Sequence, residues 1–377
     1  MRILIINSEY PPIGGGAGNA SANLASELVL SGQEVTVLTA HFDDLPHITT
    51  EKGVCIRRLK SLRRRQDRSG AVEQSVFLLQ GSLGALSLLR RWRPDVIVAF
   101  FGVPCGVIAW ITKLFAGIPY LVSLRGGDVP GFRPYDFAVY HRLVSPLLHL
   151  VWRQAGAVVA NSQGLCTMAR SFDNRVDTQV IPNGVDIQRF SVPQGRDWRT
   201  PRLLFVGRLV YQKGLDILVQ ALGYLKDLPW TLRLVGDGPH RPVLENLAHE
   251  LGIAERIEFT GWLGSEATAH HYQACNLFVF PSRHEGMPNA VLEAMACGLP
   301  VIASQIAGNE ELVVPGVTGL LVAPENPQDL TKALGSLLPN TPLCRQMGLA
   351  ARRRVEEHYT WDRVARDYLS LLQGMIG

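Results

Sequence analysis

At 377 residues, 47% hydrophobic and 19% charged, the chain is globular and long enough for two domains that each bury a core. Net charge is +4, the densest basic run (residues 57–68) contains no aromatic residue and no nucleic-acid motif accompanies it, so nucleic acid is the least favoured partner. Six cysteines, at positions 55, 105, 166, 275, 297 and 344, show neither Cys-x-x-Cys nor metal-ligand spacing and read as reduced, buried thiols.

Met1 leads straight into an apolar run, without the basic and apolar leader of a secretory signal, so a cytoplasmic protein, soluble or peripheral on a membrane, is expected. The first strand, residues 2–6, is followed by Tyr10-Pro-Pro-Ile-Gly14-Gly15-Gly16-Ala-Gly18 and a helix over about 20–30. A glycine cluster between strand and helix lets backbone come close to a phosphate or sugar. The spacing is not G-x-G-x-x-G, and no P-loop Lys-Ser/Thr follows, so a plain tight turn fits as well.

Further short apolar runs lie at 35–38, 54–59, 96–100, 120–124, 157–160 and 179–181, separated by helical stretches. Such alternation indicates a parallel sheet with helices on both faces, an α/β class. The most apolar stretch, 107–122, is broken by Lys113 and Pro119, and reads as helix, turn and strand instead of a membrane span. Charge is unevenly placed: residues 1–200 hold 22 Lys/Arg against 15 Asp/Glu, and residues 201–377 hold 15 against 18. The excess gathers in Arg57–Arg68 and in Arg90, Arg91 and Arg93. This patch can meet anionic lipid or an anionic glycan, and can equally be a solvated strand end and loop.

Proline, glycine and polar residues cluster over 182–201, marking a domain boundary, and strands resume at 203–206, 232–235, 257–259, 277–280, 301–303 and 320–322. Phe205-Val-Gly-Arg208-Leu-Val-Tyr-Gln-Lys213-Gly-Leu-Asp216 joins a strand to a helix starting near Gly214. Arg208 and Lys213 flank that loop, where helical N–H groups already favour anions; two cations there suit a diphosphate. Next comes Glu285-Gly286-Met287-Pro288-Asn289-Ala-Val-Leu-Glu293, two carboxylates with seven residues between them. Were every step helical, their Cα atoms would be ~12 Å apart and roughly 80° out of line. Glycosidase carboxyl pairs sit at roughly 5–9.5 Å, so this pair suits gripping two ends of a long polar ligand better than joint acid/base work. The closing stretch has apolar residues at 361, 364, 365, 368, 371 and 372, a helical stripe with Thr360 placed to cap it.

In this order the segments resemble family 4 retaining glycosyltransferases of the GT-B fold, over nearly the whole chain. The opening loop matches the family pattern at Pro11, Pro12, Gly15 and Gly16, the phosphate loop at Gly207, Arg208, Lys213 and Gly214, and the E-x7-E signature at Glu285 and Glu293. Ile181-Pro-Asn-Gly-Val-Asp186 is similar to the family's hinge. The resemblance implies two Rossmann-like parallel-sheet domains facing each other across a cleft: an acceptor domain over 1–185 and a donor domain over 186–359, with the helix 360–377 packing back on the first. It further implies a hexosyltransferase-type enzyme that moves a sugar from a nucleotide diphosphate-sugar to a glycan or glycolipid hydroxyl, with retention, no cofactor and no metal. Arg208 and Lys213 would stabilise the departing diphosphate, with backbone N–H groups at Gly15–Gly16 and Gly286–Asn289. Glu285 would contact the transferred sugar and Glu293 both ribose hydroxyls, while backbone around 235–239 and 260–262 would hold the base.

One departure stands out. Many family members carry His-Gly after the fifth strand, where this chain has Ser123-Leu-Arg125-Gly-Gly-Asp128. Arginine is no base at neutral pH; it could bind a phosphate or acidic sugar, Asp128 could orient the acceptor hydroxyl, or the two could form a strand-end ion pair. Two other readings stay open: a GT-B-fold sugar-nucleotide epimerase and a non-catalytic sugar-nucleotide-binding protein.

Overall fold

The structure, a computed structural model, describes residues 1–66, 69–132 and 134–376. It divides into two compact units, Met1–Asn183 with Trp361–Gly377, and Gly184–Thr360. The division comes two residues before the expected end of the first domain. Val185 explains this: its N–H donates to the Tyr359 carbonyl (2.8 Å), and its side chain is buried in the second unit's core.

The first unit is built on strands β1 (Arg2–Ile6), β2 (Glu34–Ala40), β3 (Ile48–Glu51), β4 (Val54–Leu59), β5 (Val96–Phe100), β6 (Tyr120–Leu124), β7 (Ala157–Ala160) and β8 (Thr178–Val180). They lie in the order β3-β4-β2-β1-β5-β6-β7-β8, and every pairing is parallel except β3 with β4. Helices α1 (Gly16–Leu30), α2 (Ala71–Leu89), α3 (Val107–Ala116), α4 (Pro134–Gln154) and α5 (Gln163–Phe172) connect them. Side chains alternate along a strand, so each strand feeds two cores. Ile3 and Ile5 of β1 pack with α1, whereas Leu4 and Ile6 pack on the other face with α2 to α5. Strands covered on both faces must be apolar throughout, which is why 96–100 and 120–124 contain no charged residue.

The second unit carries β9 (Arg202–Val206), β10 (Thr231–Val235), β11 (Ile257–Gly261), β12 (Leu277–Phe280), β13 (Val301–Ser304) and β14 (Gly319–Val322), all parallel in the order β11-β10-β9-β12-β13-β14. Its helices are α6 (Leu215–Gly223), α7 (Arg241–Glu250), α8 (Ser265–Ala274), α9 (Asn289–Ala296), α10 (Ala307–Glu310), α11 (Pro327–Leu337) and α12 (Thr341–His358). Both units are therefore Rossmann-like.

The last helix, α13 (Trp361–Ile376), belongs to the first unit. Its stripe of Trp361, Val364, Ala365, Tyr368 and Leu372 is buried beside α1 and completes the core over Ile3 and Val96. Leu372→Ala empties a fully buried site and should cost about 2–5 kcal/mol, read from denaturant unfolding. An unchanged midpoint would show that α13 is no part of that core.

Candidate active site

In open parallel sheets, ligands bind beyond the carboxyl ends of the strands, and the candidate residues lie there in each unit. In the second unit, β9 ends at Val206 and the chain runs through Gly207 and Arg208 into a single 3₁₀ turn, Tyr211–Lys213. Gly214 then takes a left-handed conformation (φ 63°), and a Cβ there would stand 2.1 Å from the Pro281 carbonyl oxygen, so only glycine fits. That close approach brings the loop after β9 against the loop after β12. Lys213 Nζ consequently donates to Glu285 Oε1 at 2.6 Å, with the two side chains only 14% and 11% exposed. The ammonium also lies 4.8 Å from the centre of the Phe280 ring. Arg208, beside Gly207, is exposed and bonds to no described side chain. Lys213, expected at the diphosphate, and Glu285, expected at the transferred sugar, are thus partners of one another.

Side chains around Lys213 and Glu285 hold this pair in place. Arg283 donates to both oxygens of Asp216 (2.8 and 3.0 Å), to Glu325 (2.8 Å) and to the Tyr211 carbonyl (2.5 Å), and its guanidinium lies 3.8 Å from the Tyr211 ring centre. Gln212 accepts the Arg283 N–H through its carbonyl and donates through its amide to the His284 carbonyl (2.6 Å). The sequence did carry a trace of this arrangement: Gln212 and Asp216 flank Lys213, and Arg283 stands two residues before Glu285.

Helix α9 starts at Asn289, with Pro288 at its N-cap. Glu293 sits in its second turn and accepts a hydrogen bond from the buried Tyr272 hydroxyl of α8 (2.8 Å). Burial pushes the Glu293 carboxyl up to about 7, opposed by that hydrogen bond and by the charge of Arg189. Burial and the neighbouring Glu293 charge hold the Tyr272 phenol well above its ordinary range, so it stays a donor.

In the first unit, Gly15 caps α1 and both Gly15 and Gly16 are exposed. Neither a left-handed backbone nor a neighbouring atom demands glycine at 15, because a Cβ there would meet nothing within 4 Å. The surface over this loop is open for the close approach of a ligand. Arg63 lies beneath it with its side chain 2% exposed, donating to the carbonyls of Arg65 (2.9 Å) and Gln66 (3.1 Å) and standing 3.8 Å from Glu9. The Gln66 carbonyl accepts the Gly14 N–H (2.9 Å), so this segment is strapped to the glycine loop. Arg58 is also internal, bonded to the Pro46 carbonyl, Thr49 and Glu51. The basic run expected to face an anionic partner is therefore partly structural; Arg64 and Arg65 are exposed, and Arg68 lies outside the described residues.

Arg125 and Asp128 form no side-chain pair. Asp128 accepts the backbone N–H groups of Arg125 (2.9 Å), Gly126 (3.1 Å) and Gly102 (3.1 Å), tying the end of β6 to the end of β5. Burial raises its carboxyl, against those hydrogen bonds. With both oxygens on backbone, Asp128 shapes the loop and is poorly placed to orient a hydroxyl. The Arg125 guanidinium instead donates to Asn183 (2.5 Å) and the Tyr368 hydroxyl (3.3 Å) and lies 4.4 Å from the Phe100 ring centre.

Comparison with known proteins supplies the family. Residues 14–189 match the model for Glycosyltransferase Family 4, and residues 186–354 that for Glycosyl transferases group 1. The chain is 31% identical over 408 aligned positions to a GDP-mannose-dependent alpha-(1-6)-phosphatidylinositol monomannoside mannosyltransferase of Mycobacterium tuberculosis, covering 99% of this chain and 98% of the relative. The chain belongs to glycosyltransferase family 4. Its fold is shared with sucrose-phosphate synthase from Thermosynechococcus elongatus (TM-score 0.88, 24% identity, 100% and 99% of the two chains). It is shared also with an Anabaena protein solved in complex with UDP and glucose (TM-score 0.80, 22% identity, 99% and 100%). The expected two-domain GT-B fold and family are those of this glycosyltransferase.

The Glu293 environment makes a prediction of its own. A carboxyl raised from 4.5 to about 7 by folding lets the unfolded chain ionise first, so this group lowers stability as pH rises between those values. Glu293→Gln should remove that decline, measured as unfolding free energy against pH. Tyr272→Phe, which deletes a donor to the anion, should move the Glu293 titration still higher in carboxyl-carbon NMR; a shift to lower pH would contradict the assigned hydrogen bond.

Proposed function

We propose that this glycosyltransferase moves a hexose from a nucleotide diphosphate-sugar to a hydroxyl of a glycolipid or surface-polysaccharide intermediate, with retention of configuration and without a metal. The observation that carries this reading is the contact of Lys213, in the loop after β9, with Glu285, in the loop that leads into α9 and its half-buried Glu293. As the glycosidic bond breaks, negative charge gathers on the diphosphate and positive charge on the sugar ring. A cation beside the first and an anion beside the second stabilise that separation more than the ground state. Lys213 and Glu285 supply the two charges already adjacent, so the diphosphate competes with Glu285 for the ammonium and the sugar meets the carboxylate. Arg208, exposed in the same loop, adds a second cation, which removes the need for a metal.

Glu293 takes the ribose. One carboxylate offers two oxygens, matching two vicinal hydroxyls, and Tyr272 fixes its orientation. Gly286, Met287, Pro288 and Asn289 form the turn that leads into α9, whose N-terminal end favours the diphosphate. In the first unit, the open loop at Gly15 and Gly16 serves the donor, and Arg125 lies on the acceptor side. The basic first unit and a lipid-linked acceptor support a cytoplasmic enzyme, peripheral on the inner face of the membrane.

Glu293→Ala should weaken donor binding ~10–100-fold with a smaller effect on turnover, whereas Lys213→Ala should lower turnover ~100–1000-fold. Thermal shift with UDP-, GDP- and ADP-sugars identifies the donor, and steady-state assays then separate the two effects. Small, equal losses from both variants would contradict the roles. Conversion of the donor to another sugar nucleotide without acceptor would establish the epimerase reading instead.

A further inference from the structure

Helices α2, α3 and α4 lie side by side on one face of the first unit's sheet. Their inner sides supply Phe77 and Leu88, Ile108, and Leu148 and Val151 to the core. Their outer sides are apolar too. On α2, Val72, Leu79 and Leu83 are exposed, Leu79 by 62%. Leu79 stands two residues from buried Phe77, and Leu83 two from buried Gly81, roughly 200° around the helix, so the stripe points away from the core. On α4, Val139, Leu143 and Leu150 repeat the pattern; Leu143 is 76% exposed and Leu150 lies two residues from buried Leu148. Between them, α3 ends in exposed Leu114 and Phe115, the latter by 75%.

A surface helix ordinarily turns charge to water, and one that is apolar all round is covered by something. Helix α2 is also long and apolar enough to cross a membrane by length and composition, yet its inner side is part of the core, so it lies on the fold and does not span. Its single charged residue, Glu73, is occupied by the N–H groups of Gly70 and Arg64. Among the described side chains, α3 and α4 present no exposed carboxylate. Cations fringe the face. Arg90, Arg91 and Arg93 follow α2 and are exposed, and Arg93 donates to the Ala116 carbonyl (3.0 Å), which sets the cluster beside Phe115. Arg142 is exposed next to Leu143.

We propose that the α2–α3–α4 face is a docking surface for an anionic bilayer, with its valine, leucine and phenylalanine side chains in the acyl boundary and its arginines at the headgroup phosphates. Apolar area combined with cations is the requirement for stable interfacial binding. A second copy of the chain fits less well, because a two-fold interface would bring the same arginine clusters together with no exposed carboxylate among the described side chains of these helices to receive them. The inference deepens the lipid-linked acceptor reading and rests on it for its purpose.

Vesicle flotation of the full chain tests it, using phosphatidylcholine with and without phosphatidylglycerol. The wild type should float with the anionic vesicles. Leu79→Ser with Leu83→Ser should reduce partition at least ~10-fold, and Arg90→Gln with Arg91→Gln roughly 25-fold on anionic vesicles only, about fivefold per arginine. Every variant should keep the wild-type melting temperature and nucleotide-sugar thermal shift, since no substituted residue lies in the candidate active site. Absence of wild-type flotation, undiminished flotation of both variants, or a dimer in light scattering that the leucine variant abolishes would overturn the proposal. A wild type that floats but shows no thermal shift with any nucleotide-sugar would uphold the docking face and defeat the transferase reading.

Discussion

The buried guanidinium of Arg283 is the constraint on which the second unit's site depends. A cation 7% exposed is stable only when carboxylates and carbonyls surround it, and here Asp216, Glu325 and the Tyr211 carbonyl do so. Those partners come from three separate stretches: the turn that carries Lys213, the first turn of α6, and the loop after β14. Removing one carboxylate would leave a partly uncompensated buried charge, a change that costs ~3–5 kcal/mol in comparable pairs. Arg283 precedes Glu285 by two residues, so the same bond network fixes both members of the Lys213–Glu285 contact. The Lys213–Glu285 pair is held by a scaffold of other charges.

Much of this was legible in the chain. The apolar runs at 96–100 and 120–124 could only be strands covered on both faces, and the stripe from Trp361 to Leu372 could only be a helix with one buried side. Glycine at 214 marked the start of a helix, and the fold adds that backbone meets backbone there. What remained hidden was the partnership of side chains distant in sequence. Nothing near Tyr272 announces that its hydroxyl reaches Glu293, since the two lie on different helices. Arg63 looked like its neighbours Arg64 and Arg65, and burial alone separates them. Asp128 looked like a partner for the Arg125 guanidinium, whereas backbone N–H groups at a strand end claim a carboxylate more readily.

The two glutamates illustrate how one residue type takes two characters. Glu285 has an ammonium at 2.6 Å, and Glu293 has a phenol and a distant guanidinium. The first environment is a close ion pair, and the second holds a carboxyl able to change protonation near neutrality.

The placement of α13 also governs the order in which the molecule can assemble. The helix that shields Ile3, Val96 and Leu121 is synthesised after all of the second unit, and its Tyr368 hydroxyl completes the contacts of Ser123 and Arg125. During translation α1 alone shields that side of the earlier sheet until Trp361–Ile376 leaves the ribosome, while the later-encoded unit can already close its own interior. Birth order and folding order are thereby reversed, and a nascent chain arrested before Trp361 would present a sticky, half-finished sheet to chaperones.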